Sequence, residues 1–590
     1  MKSFSKIQNQ VTIIQAVAGS GKTTLLKNVL KEARTTAGLT KEQILFVTYS
    51  RALAKELREE LGDLARVTTL HALGLSLIRQ NLEYFSFKKI PKRAKNNKDR
   101  DLFLLVNSSV TPEAVLKKFY RKREYKGQFT GTVCRELSIP NNLGKTLINR
   151  VNQRKREENV CSYADMIRLG STVCQAFLKK KEISFDAPRL LLVDEYQDFN
   201  AIEKRFVLRL INISETSLVV GDDRQAIYSF KGASCGAVRK LAKKLPESSY
   251  TSLDHTYRLT KPTAALVNAC PDRKKYPIIK SSKEGGIPFY HKSPSRELAL
   301  DAVAKKIKNL IDQGGRPNEI AVITRFKKDF RQFTYFLSKH DIKIGVSDLP
   351  KDEENILQHF LAFSEAVLDL NNKKLKDYLE YYYGLNEKQA QEVALSCGVV
   401  INRQLLNIDD KTATKCRRVL NGVSDLRRSL SFDKLKRTFK ERCQGKVDAY
   451  HHLGITSILN RYGLLINFGN SVKDVLVKLK MFLDNPERDG IYVGTQHKAK
   501  GKAWDHVFLI DVFDENRNPL TKNWDRNSEL NLFHVAITRP KQRLYLFFFE
   551  EYQAVDSTIN TKKKRIKNVL TSFLPKESFL LENCEVEVIG

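Results

Sequence analysis

The chain has 590 residues, of which 42% are hydrophobic, and a net charge of +35 at pH 7. One hydrophobic core cannot organise a chain of this length, so we expect several domains. So large an excess of Lys and Arg favours a polyanionic partner, most simply a nucleic acid. The alternative is that the basic surface only maintains solubility.

Composition argues against two other classes of protein. The nine cysteines are scattered without a C-x-x-C pair, which speaks against a zinc site and a disulfide framework. No apolar run is long enough to span a bilayer, and the N-terminal "MKSFSKIQNQ" lacks the apolar core of a signal peptide. We therefore expect a soluble intracellular protein without membrane contact, cytoplasmic in a bacterium or phage and nuclear in a eukaryote.

Short apolar runs alternate with amphipathic helical segments from "VTIIQAV" to "SLVVGD". This alternation is typical of a parallel sheet covered by helices. A second series of apolar runs begins at "IPFYHK" and ends at "LYLFFF". The pattern therefore predicts an α/β fold with two such cores.

Two mostly helical segments interrupt these cores. In the first, basic residues far outnumber acidic ones between Lys88 and Lys126, and Phe119, Tyr120 and Tyr125 are interleaved with them. We expect this segment to contact the backbone of a nucleic acid, the alternative being a solvated helix face. The second segment contains "ILQHFLAFSEAVLDL" and "LKDYLEYYYGL".

The segment "AVAGSGKTT", Ala16–Thr24, follows the apolar run "VTII" and precedes a helical pattern. A strand, a glycine turn and a helix start in this order form a phosphate cradle, because backbone N–H groups approach the anion at the helix N-terminus. Lys22 would reach the β- and γ-phosphates of a nucleoside triphosphate, and Thr23 would bind Mg²⁺.

The apolar run "RLLLV" leads directly into Asp194 and Glu195. In a nucleotide site Asp194 would hold Mg²⁺, and Glu195 would be the base that activates the attacking water. The alternative is an ordinary polar strand end. The pairing of this segment with the phosphate cradle favours the nucleotide site.

The next apolar run leads into "VVGDDRQAIYSFKGA". Gln225 is placed where a polar side chain could sense the γ-phosphate. Tyr228 and Phe230 alternate around Ser229 beside basic residues, an arrangement that suits base stacking. The alternative is that one of the two rings is buried in the core.

Three further residues could contact the nucleotide. Tyr257 could stack on adenine, whereas Arg258 and, in the second core, Arg539 could neutralise transition-state charge. Each arginine, taken alone, is also explained by a surface ion pair. The polar loop "GTQHKAKGKAW" offers Thr495 and His497 as phosphate contacts, although such a histidine is also explained by ordinary polar packing.

In order and spacing these motifs resemble those of the UvrD/Rep/PcrA-like superfamily-1 helicases. "DEYQD" is similar to the family's D-E-x-Q-D, "GDDRQAIYSFKGA" to its G-D-x-x-Q-x-I-Y-x-[WF]-[RK]-G-A, and "TYR" to its N-Y-R. "TQHKAKGKAWD" and "HVAITRPKQRL" are similar to two later motifs. The segments "HKAKG" and "LNLFHVAITR" most resemble those of the F-box DNA helicase branch, although no F-box is evident.

The resemblance implies an α/β fold of two RecA-like P-loop NTPase domains, parallel sheets covered by helices, each with a mainly helical insertion. The expected boundaries are 1–85 and 160–262 for domain 1A, 86–159 for insertion 1B, 263–350 and 488–590 for domain 2A, and 351–487 for insertion 2B. ATP is expected between the two domains, and single-stranded DNA across their top.

The resemblance also implies roles for individual residues. Contacts to ATP and Mg²⁺ are expected from Ala16, Gly19, Ser20, Gly21, Lys22, Thr23, Thr24, Asp194 and Tyr257. The catalytic set is Glu195, Gln225, Arg258 and Arg539. Contacts to DNA are expected from Tyr49, Ser50, Arg51, Thr69, His71, Tyr228, Phe230, Lys231, Thr495 and His497.

Three positions depart from the family pattern. Ala16 replaces the first glycine of the phosphate cradle, and Thr24 stands where many relatives have a base-stacking arginine. Ala503 replaces a glutamate that contacts the nucleotide. The hydrolytic residues are all present.

The sequence thus predicts an ATP-dependent 3′-to-5′ single-stranded DNA translocase and helicase of the kind used in DNA repair and recombination. Its expected partners are ATP, Mg²⁺, single-stranded DNA, duplex junctions and, through insertion 2B, other proteins. The alternatives are a translocase that strips proteins from DNA with little unwinding, an RNA motor, and a basic nucleic-acid scaffold without turnover. The intact Glu195 and the two arginines argue against the scaffold.

Overall fold

The computed structural model describes residues 4–93, 96–270, 276–325, 336–337, 339–345, 351–368, 373–383, 385–395, 410–428, 490–510, 526–551 and 577–588, with residues 333, 434–435, 437–439, 477, 480 and 575. The chain divides into two compact units. The first comprises Met1–Gly286, Glu515–Thr538 and Thr571–Phe579. The second comprises Ile287–Asp514, Arg539–Leu570 and Leu580–Gly590.

The first unit contains a six-stranded parallel sheet in the order β3-β2-β6-β7-β1-β8. Its strands are β1 (Val11–Ala16), β2 (Ile44–Val47), β3 (Arg66–Thr68), β6 (Leu190–Val193), β7 (Thr216–Gly221) and β8 (Ser249–Leu253). Alternate residues of one strand enter two separate cores, since Ile13 packs on one face of the sheet and Ile14 on the other. Both faces are therefore buried, as in other parallel sheets.

Helices cover both faces of this sheet. They are α1 (Lys22–Thr35), α2 (Arg51–Leu61), α3 (Leu70–Gln80), α8 (Tyr163–Leu178), α9 (Ala201–Ile213), α10 (Ala237–Lys244) and α11 (Lys261–Ala269). The helix Arg526–Ile537 also belongs to this unit. Each of the predicted strands before residue 222 is present.

Four helices between β3 and β6 form the first insertion: α4 (Asn96–Asn107), α5 (Glu113–Tyr120), α6 (Thr130–Glu136) and α7 (Asn141–Glu157). They have a core of their own around Phe103, Leu116, Phe119 and Leu147. The two-stranded pair β4 (Lys92–Arg93) and β5 (Val160–Cys161) closes the base of the insertion.

A buried lysine also fastens the insertion to the sheet domain. The Lys155 ammonium on α7 lies 2.6 Å from a carboxylate oxygen of Asp99 on α4 and 2.8 Å from one of Asp165 on α8. Removing Lys155 would leave two buried carboxylates without this cation, so its loss should destabilise the attachment.

The second unit contains a seven-stranded parallel sheet in the order β11-β12-β10-β13-β14-β9-β15. Its strands are β9 (Phe289–Ser295), β10 (Ile320–Thr324), β11 (Ile344–Gly345), β12 (Ile491–Thr495), β13 (Trp504–Ile510), β14 (Pro540–Glu551) and β15 (Glu585–Val588). The helix α12 (Arg296–Asp312) packs on this sheet. The predicted α/β class with two parallel sheets is confirmed.

The described part of the second insertion is helical and consists of Lys351–Leu368, Lys373–Tyr383, Glu387–Leu395 and Asp410–Arg428. Phe360, Phe363 and Val419 are among its buried residues. Apart from single positions, the remainder of the predicted segment 351–487 lies outside the described residues. No helix in the described part of the chain is both long and apolar enough to cross a membrane.

Candidate nucleotide site and nucleic-acid groove

The phosphate cradle lies at the carboxyl edge of the first sheet. β1 ends at Ala16 and α1 begins at Lys22, with Gly19 and Gly21 in the left-handed region at φ +73° and +77°. Glycine adopts this conformation without steric cost, which lets the loop turn tightly into the helix. The Ser20 hydroxyl is buried and, within the described residues, has no hydrogen-bond partner. The residues present therefore fit a phosphate group.

The chain after β8 holds this loop in place. The Thr256 hydroxyl donates to the Ala18 carbonyl at 2.8 Å, and the Tyr257 N–H donates to the Gly19 carbonyl at 2.9 Å. A Cβ atom on Gly19 would lie 2.5 Å from the Arg258 Cβ. Arg258 is therefore packed directly against the cradle.

A cavity of about 430 Å³ adjoins the cradle and is lined by Tyr257, His255 and Thr24. The Tyr257 side chain is 62% exposed, and its ring meets that of His255 at 5.0 Å. A flat, accessible ring beside a phosphate cradle suits a nucleobase.

Two carboxylates face the start of α1. The Thr23 hydroxyl donates to Asp194 at 2.9 Å, and Asp194 is completely buried. Burial and the neighbouring carboxylate of Glu195 raise the pKa of Asp194 to about 6, while Lys22 opposes the shift. A buried carboxylate beside a hydroxyl presents the oxygen ligands that Mg²⁺ prefers.

A magnesium ion in this position would share its coordination with phosphate and water. No cluster of three or more His, Cys, Asp or Glu side chains suited to a metal occurs among the described residues. Mg²⁺ sites in nucleotide enzymes use only one or two protein oxygens, because phosphate and water supply the other ligands. The donor set of Thr23 and Asp194 fits that pattern.

Glu195 belongs to a hydrogen-bonded relay. Its backbone lies in the left-handed region at φ +53°, which is uncommon for a residue with a side chain. The Gln197 amide donates to the Glu195 carboxylate and accepts from the Asp222 N–H at 2.9 Å. The Gln225 amide in turn donates to the Asp222 carboxylate at 2.6 Å. Four residues from two loops are thereby linked, and the link between the loops passes through the backbone N–H of Asp222.

A groove of about 530 Å³ opens between the sheet domain and the first insertion. The rings of Tyr49 and Tyr228 stack at 5.3 Å with an interplanar angle of 25°. The Lys231 ammonium lies 5.1 Å from the Tyr228 ring and 5.9 Å from the Phe230 ring. Phe230 is 44% exposed, so the structure does not support the core interpretation of this ring.

The other predicted DNA contacts lie at helix starts beside this groove. Ser50 caps α2 by accepting from the Leu53 N–H, and the buried Thr69 caps α3 by accepting from the Ala72 N–H. Arg51 and His71 therefore stand in the first turns of two helices and line the groove.

Tyr163 connects these two residues. The Arg51 guanidinium donates to its hydroxyl at 3.2 Å, and its ring meets the His71 ring edge-on at 5.4 Å. Tyr163 lines the groove, a role that no motif in the sequence predicted.

Glu203 lines the groove, as do the acidic residues Asp99 and Glu124. Glu203 is buried, and one of its carboxylate oxygens lies 4.0 Å from the His71 ring nitrogen. Burial raises the pKa of Glu203 to about 7, and burial together with Arg51 and Lys231 lowers that of His71 to about 4. Near pH 7 the groove therefore contains a neutral imidazole and a carboxyl group in mid-titration.

The backbone of the first insertion contacts the segment 228–232, which carries Tyr228 and Phe230 and is called the aromatic loop below. Gly232 lies at φ +92°, and a Cβ atom there would come within 1.9 Å of the Lys126 carbonyl oxygen. Next to this contact, Gly127 accepts from the Ile202 N–H at 3.2 Å. The turn after α5 is thus packed against both the aromatic loop and the start of α9.

The three rings that are interleaved with basic residues in this insertion have different environments. Phe119 is completely buried and stacks on Phe103 at 5.9 Å, because it lies on the apolar face of α5. Tyr120 donates to Asp99 at 2.8 Å. Tyr125, at 49% exposed, is the one of the three interleaved rings that lines the groove as an exposed aromatic.

The remaining predicted residues belong to the second unit. Thr495 ends β12 and precedes the short helix Gln496–Ala499, which carries His497. Burial and the charge of Arg325 lower the pKa of His497 to about 4. Arg539 is 1% exposed and donates to the Lys502 carbonyl at 3.1 Å.

The first unit therefore brings together two groups of predicted residues. The nucleotide group contains Lys22, Thr23, Asp194, Glu195, Gln225, Tyr257 and Arg258. The groove group contains Tyr49, Ser50, Arg51, His71, Tyr228 and Lys231, which line the groove, and Thr69 and Phe230, which adjoin it. Sequence reasoning missed Gln197, Tyr163 and Glu203; of these, Gln197 was visible within the "DEYQD" motif.

Comparison with known proteins agrees with this geometry. Residues 2–246 match the UvrD/REP helicase N-terminal domain, and residues 470–551 match the UvrD-like helicase C-terminal domain. The chain is 21% identical to the ATP-dependent DNA helicase Rep of Buchnera aphidicola, over 96% of this chain and 93% of the relative. It is also 21% identical to the ATP-dependent DNA helicase PcrA of Staphylococcus epidermidis, over 90% and 80%.

A parallel sheet with a phosphate cradle at its carboxyl edge, and an acidic pair on a neighbouring strand, defines a RecA-like P-loop nucleotide hydrolase. Within this class, an aromatic and basic groove on the same unit is typical of members that bind single-stranded nucleic acid. Together with the two matched domains, these features show that the chain belongs to the UvrD/Rep/PcrA-like superfamily-1 helicases and is an ATP-dependent DNA helicase.

Proposed function

We propose that this chain moves 3′-to-5′ along single-stranded DNA and unwinds duplexes at the expense of ATP. The observation that supports this most is the loop 222–232. Its first part carries Asp222 and Gln225 of the relay. Its second part carries Tyr228 and Lys231, which line the groove, and Phe230, whose ring contacts that of Tyr228. A displacement at the nucleotide would be transmitted within a few residues to the aromatic rings.

In the proposed hydrolysis Glu195 takes the proton of the attacking water. Gln197 fixes the orientation of that carboxylate, because its amide donates to it and is itself held by Asp222. Lys22 and Arg258 stabilise the negative charge that develops on the phosphoryl oxygens. Arg539 is proposed as a second such arginine.

Thr23 and Asp194 would hold Mg²⁺, which when bound neutralises phosphate charge and orients the transferred group. Tyr257 offers its exposed ring to the adenine. The Ala16 substitution is compatible with this arrangement, because Ala16 is the buried last residue of β1 and precedes the turn.

In the proposed movement the bases stack on the groove aromatics. Tyr228 is fixed against Tyr49, whereas Phe230 is the more exposed of the two loop rings. Stacking tolerates any sequence, as a motor on DNA requires, and contributes about 1–3 kcal/mol per base. Arg51, His71 and, in the second unit, Thr495 and His497 are proposed as strand contacts.

The proposed domain division assigns 1–85 and 160–262 to domain 1A and 86–159 to insertion 1B. Segments 263–350 and 488–590 form domain 2A, and 351–487 forms insertion 2B, through which protein partners would act. Under this division the nucleotide group and the whole groove group belong to domain 1A.

The decisive experiment compares unwinding of 3′-tailed and 5′-tailed duplexes with ATP and Mg²⁺. We expect unwinding of the 3′-tailed duplex only, together with an ATPase that single-stranded DNA stimulates. Preference for the 5′-tailed duplex would refute the polarity. DNA-stimulated hydrolysis that displaces a bound protein without unwinding would favour the protein-stripping translocase, and absence of hydrolysis would favour the scaffold.

A further inference from the structure

A second cavity in the first unit, of about 510 Å³, lies beside the loop that carries Gln225. It shares no lining residue with the aromatic groove. The residues that matter for its chemistry are Arg224, Arg239, Lys240, Lys243, Tyr276 and Asn531.

Two guanidinium groups are fixed on a single ring in this cavity. The Arg224 guanidinium lies 5.0 Å from the centre of the Tyr276 ring, and that of Arg239 lies 4.8 Å from it. Arg224 is only 4% exposed. Because the ring fixes both side chains, little of their conformational freedom remains to be lost when an anion binds.

The charge of the cavity has one sign. Four cationic side chains line it, and no acidic side chain does so among the described residues. The nearby Asp223 is buried and accepts from the Val238 N–H at 2.9 Å and from Arg239 at 3.4 Å.

We propose that this cavity is a second nucleic-acid site, which takes the phosphodiester groups of a strand segment outside the aromatic groove. A guanidinium group can bind two phosphate oxygens at once, so Arg224 and Arg239 suit the inner part of the site. Lys240 and Lys243 are exposed and three residues apart on α10, so they face the same side and form the entrance. This site goes beyond the proposed translocation, which requires only the groove.

The site is mechanically connected to the nucleotide relay. The Arg224 N–H donates to the Asp222 carboxylate at 3.0 Å, and Gln225 donates to the same carboxylate. Asn531 braces the loop by donating to the Asp223 carbonyl at 3.2 Å and the Ala226 carbonyl at 3.1 Å. A strand held at Arg224 therefore contacts the loop that carries the γ-phosphate-sensing residue.

The test uses the full-length double variant Lys240→Glu, Lys243→Glu. The matched control is Lys179→Glu, Lys181→Glu, which reverses the same number of charges at exposed lysines outside both cavities. The affinity of each protein for a fluorescent single-stranded oligonucleotide is measured across a series of NaCl concentrations. We expect the slope of log affinity against log salt to become shallower by about 1.4 in the first variant, because each lost single-strand phosphate contact removes about 0.7.

An unchanged slope, or an equal change in the control, would overturn the proposal. It would also be wrong if the slope were unchanged while polyglutamate bound the parent and not the variant, since the cavity would then be a protein-docking surface. If inorganic pyrophosphate at matched ionic strength bound the cavity but the oligonucleotide slope were unchanged, the ligand would be free phosphate rather than a strand.

A second measurement separates this site from the groove. An oligonucleotide carrying a photoreactive thymine analogue is crosslinked to the parent and to Phe230→Ala, and the crosslinked peptides are identified by mass spectrometry. We expect the peptide with Tyr276 to be labelled in both proteins and to lose its label in the Lys240→Glu, Lys243→Glu variant. Absence of that label in the parent would refute the second site, whether or not the groove binds DNA.

Discussion

Truncation of Phe230 tests whether the aromatic loop grips the strand. The ring is 44% exposed, and its ring contact is with Tyr228, edge-on at 6.0 Å. Burying a whole phenylalanine contributes about 1.5–3 kcal/mol, so losing this half-buried ring should cost roughly 1–1.5 kcal/mol of stability. Phe230→Ala should therefore melt only about 2–5 °C below the parent.

The effect on DNA should be larger than the effect on stability. A lost stacking contact of about 1–3 kcal/mol weakens oligonucleotide binding by about 5- to 150-fold. We expect ATP hydrolysis at saturating DNA to persist while unwinding is lost.

The matched control is Phe177→Ala, because Phe177 is 38% exposed and contacts Phe185 at 5.4 Å, a residue outside the groove, whereas Phe230 contacts the groove residue Tyr228. The reasoning fails if Phe230→Ala is stable and unwinds fully. It fails also if a large drop in melting temperature accompanies a proportionate loss of every activity.

Three further predictions follow from the two sites. Glu195→Gln should retain ATP binding and lose about 10²- to 10⁴-fold in turnover, since a positioned base is removed; near-normal steady-state hydrolysis would exclude Glu195 as the base. Reversal of the exposed Lys118 and Arg121 to Glu should weaken DNA binding for all sequences and flatten its salt dependence in a titration, whereas unchanged affinity would indicate a solvated helix face. Because the pKa of Glu203 is raised from 4.5 to about 7, its ionisation destabilises the fold as pH rises through that range. The ionised carboxylate also repels phosphates, so DNA affinity should fall from pH 6 to pH 8 in the parent more steeply than in Glu203→Gln. Glu203→Gln keeps an acceptor for the Asn200 N–H. This variant should melt above the parent at pH 8 but not at pH 5. Parallel pH profiles for the two proteins would contradict the assignment.

The features that the sequence predicts well are those encoded over short distances. The cradle from Gly19 to Thr23 and the acidic pair after β6 are set by local strand, turn and helix signals. The alternation of apolar runs likewise predicts both parallel sheets. Each of these signals is complete within a few residues.

The features that it misses depend on packing between distant segments. The edge strand β8 is half-exposed and lacks an apolar run, so its sequence "SYTSL" gives little strand signal. Gln197 orients Glu195 only because Asp222, on another strand's loop, holds the other end of its amide. The burial of Phe119 is hard to read from the basic residues around it, although its spacing from Leu116 places both on one helix face toward the insertion core.

The contact between Gly232 and Lys126 limits how far insertion 1B can be treated as an exchangeable module. With 1.9 Å between a Cβ atom at Gly232 and the Lys126 carbonyl oxygen, the aromatic loop accommodates this insertion through bare backbone on both sides. An insertion transplanted from a relative would therefore need the same tight turn at this point, however similar its outer helices. We expect the sequence of the insertion to vary freely on its solvent-exposed face. The turn at Lys126 and the facing Gly232 should change only together.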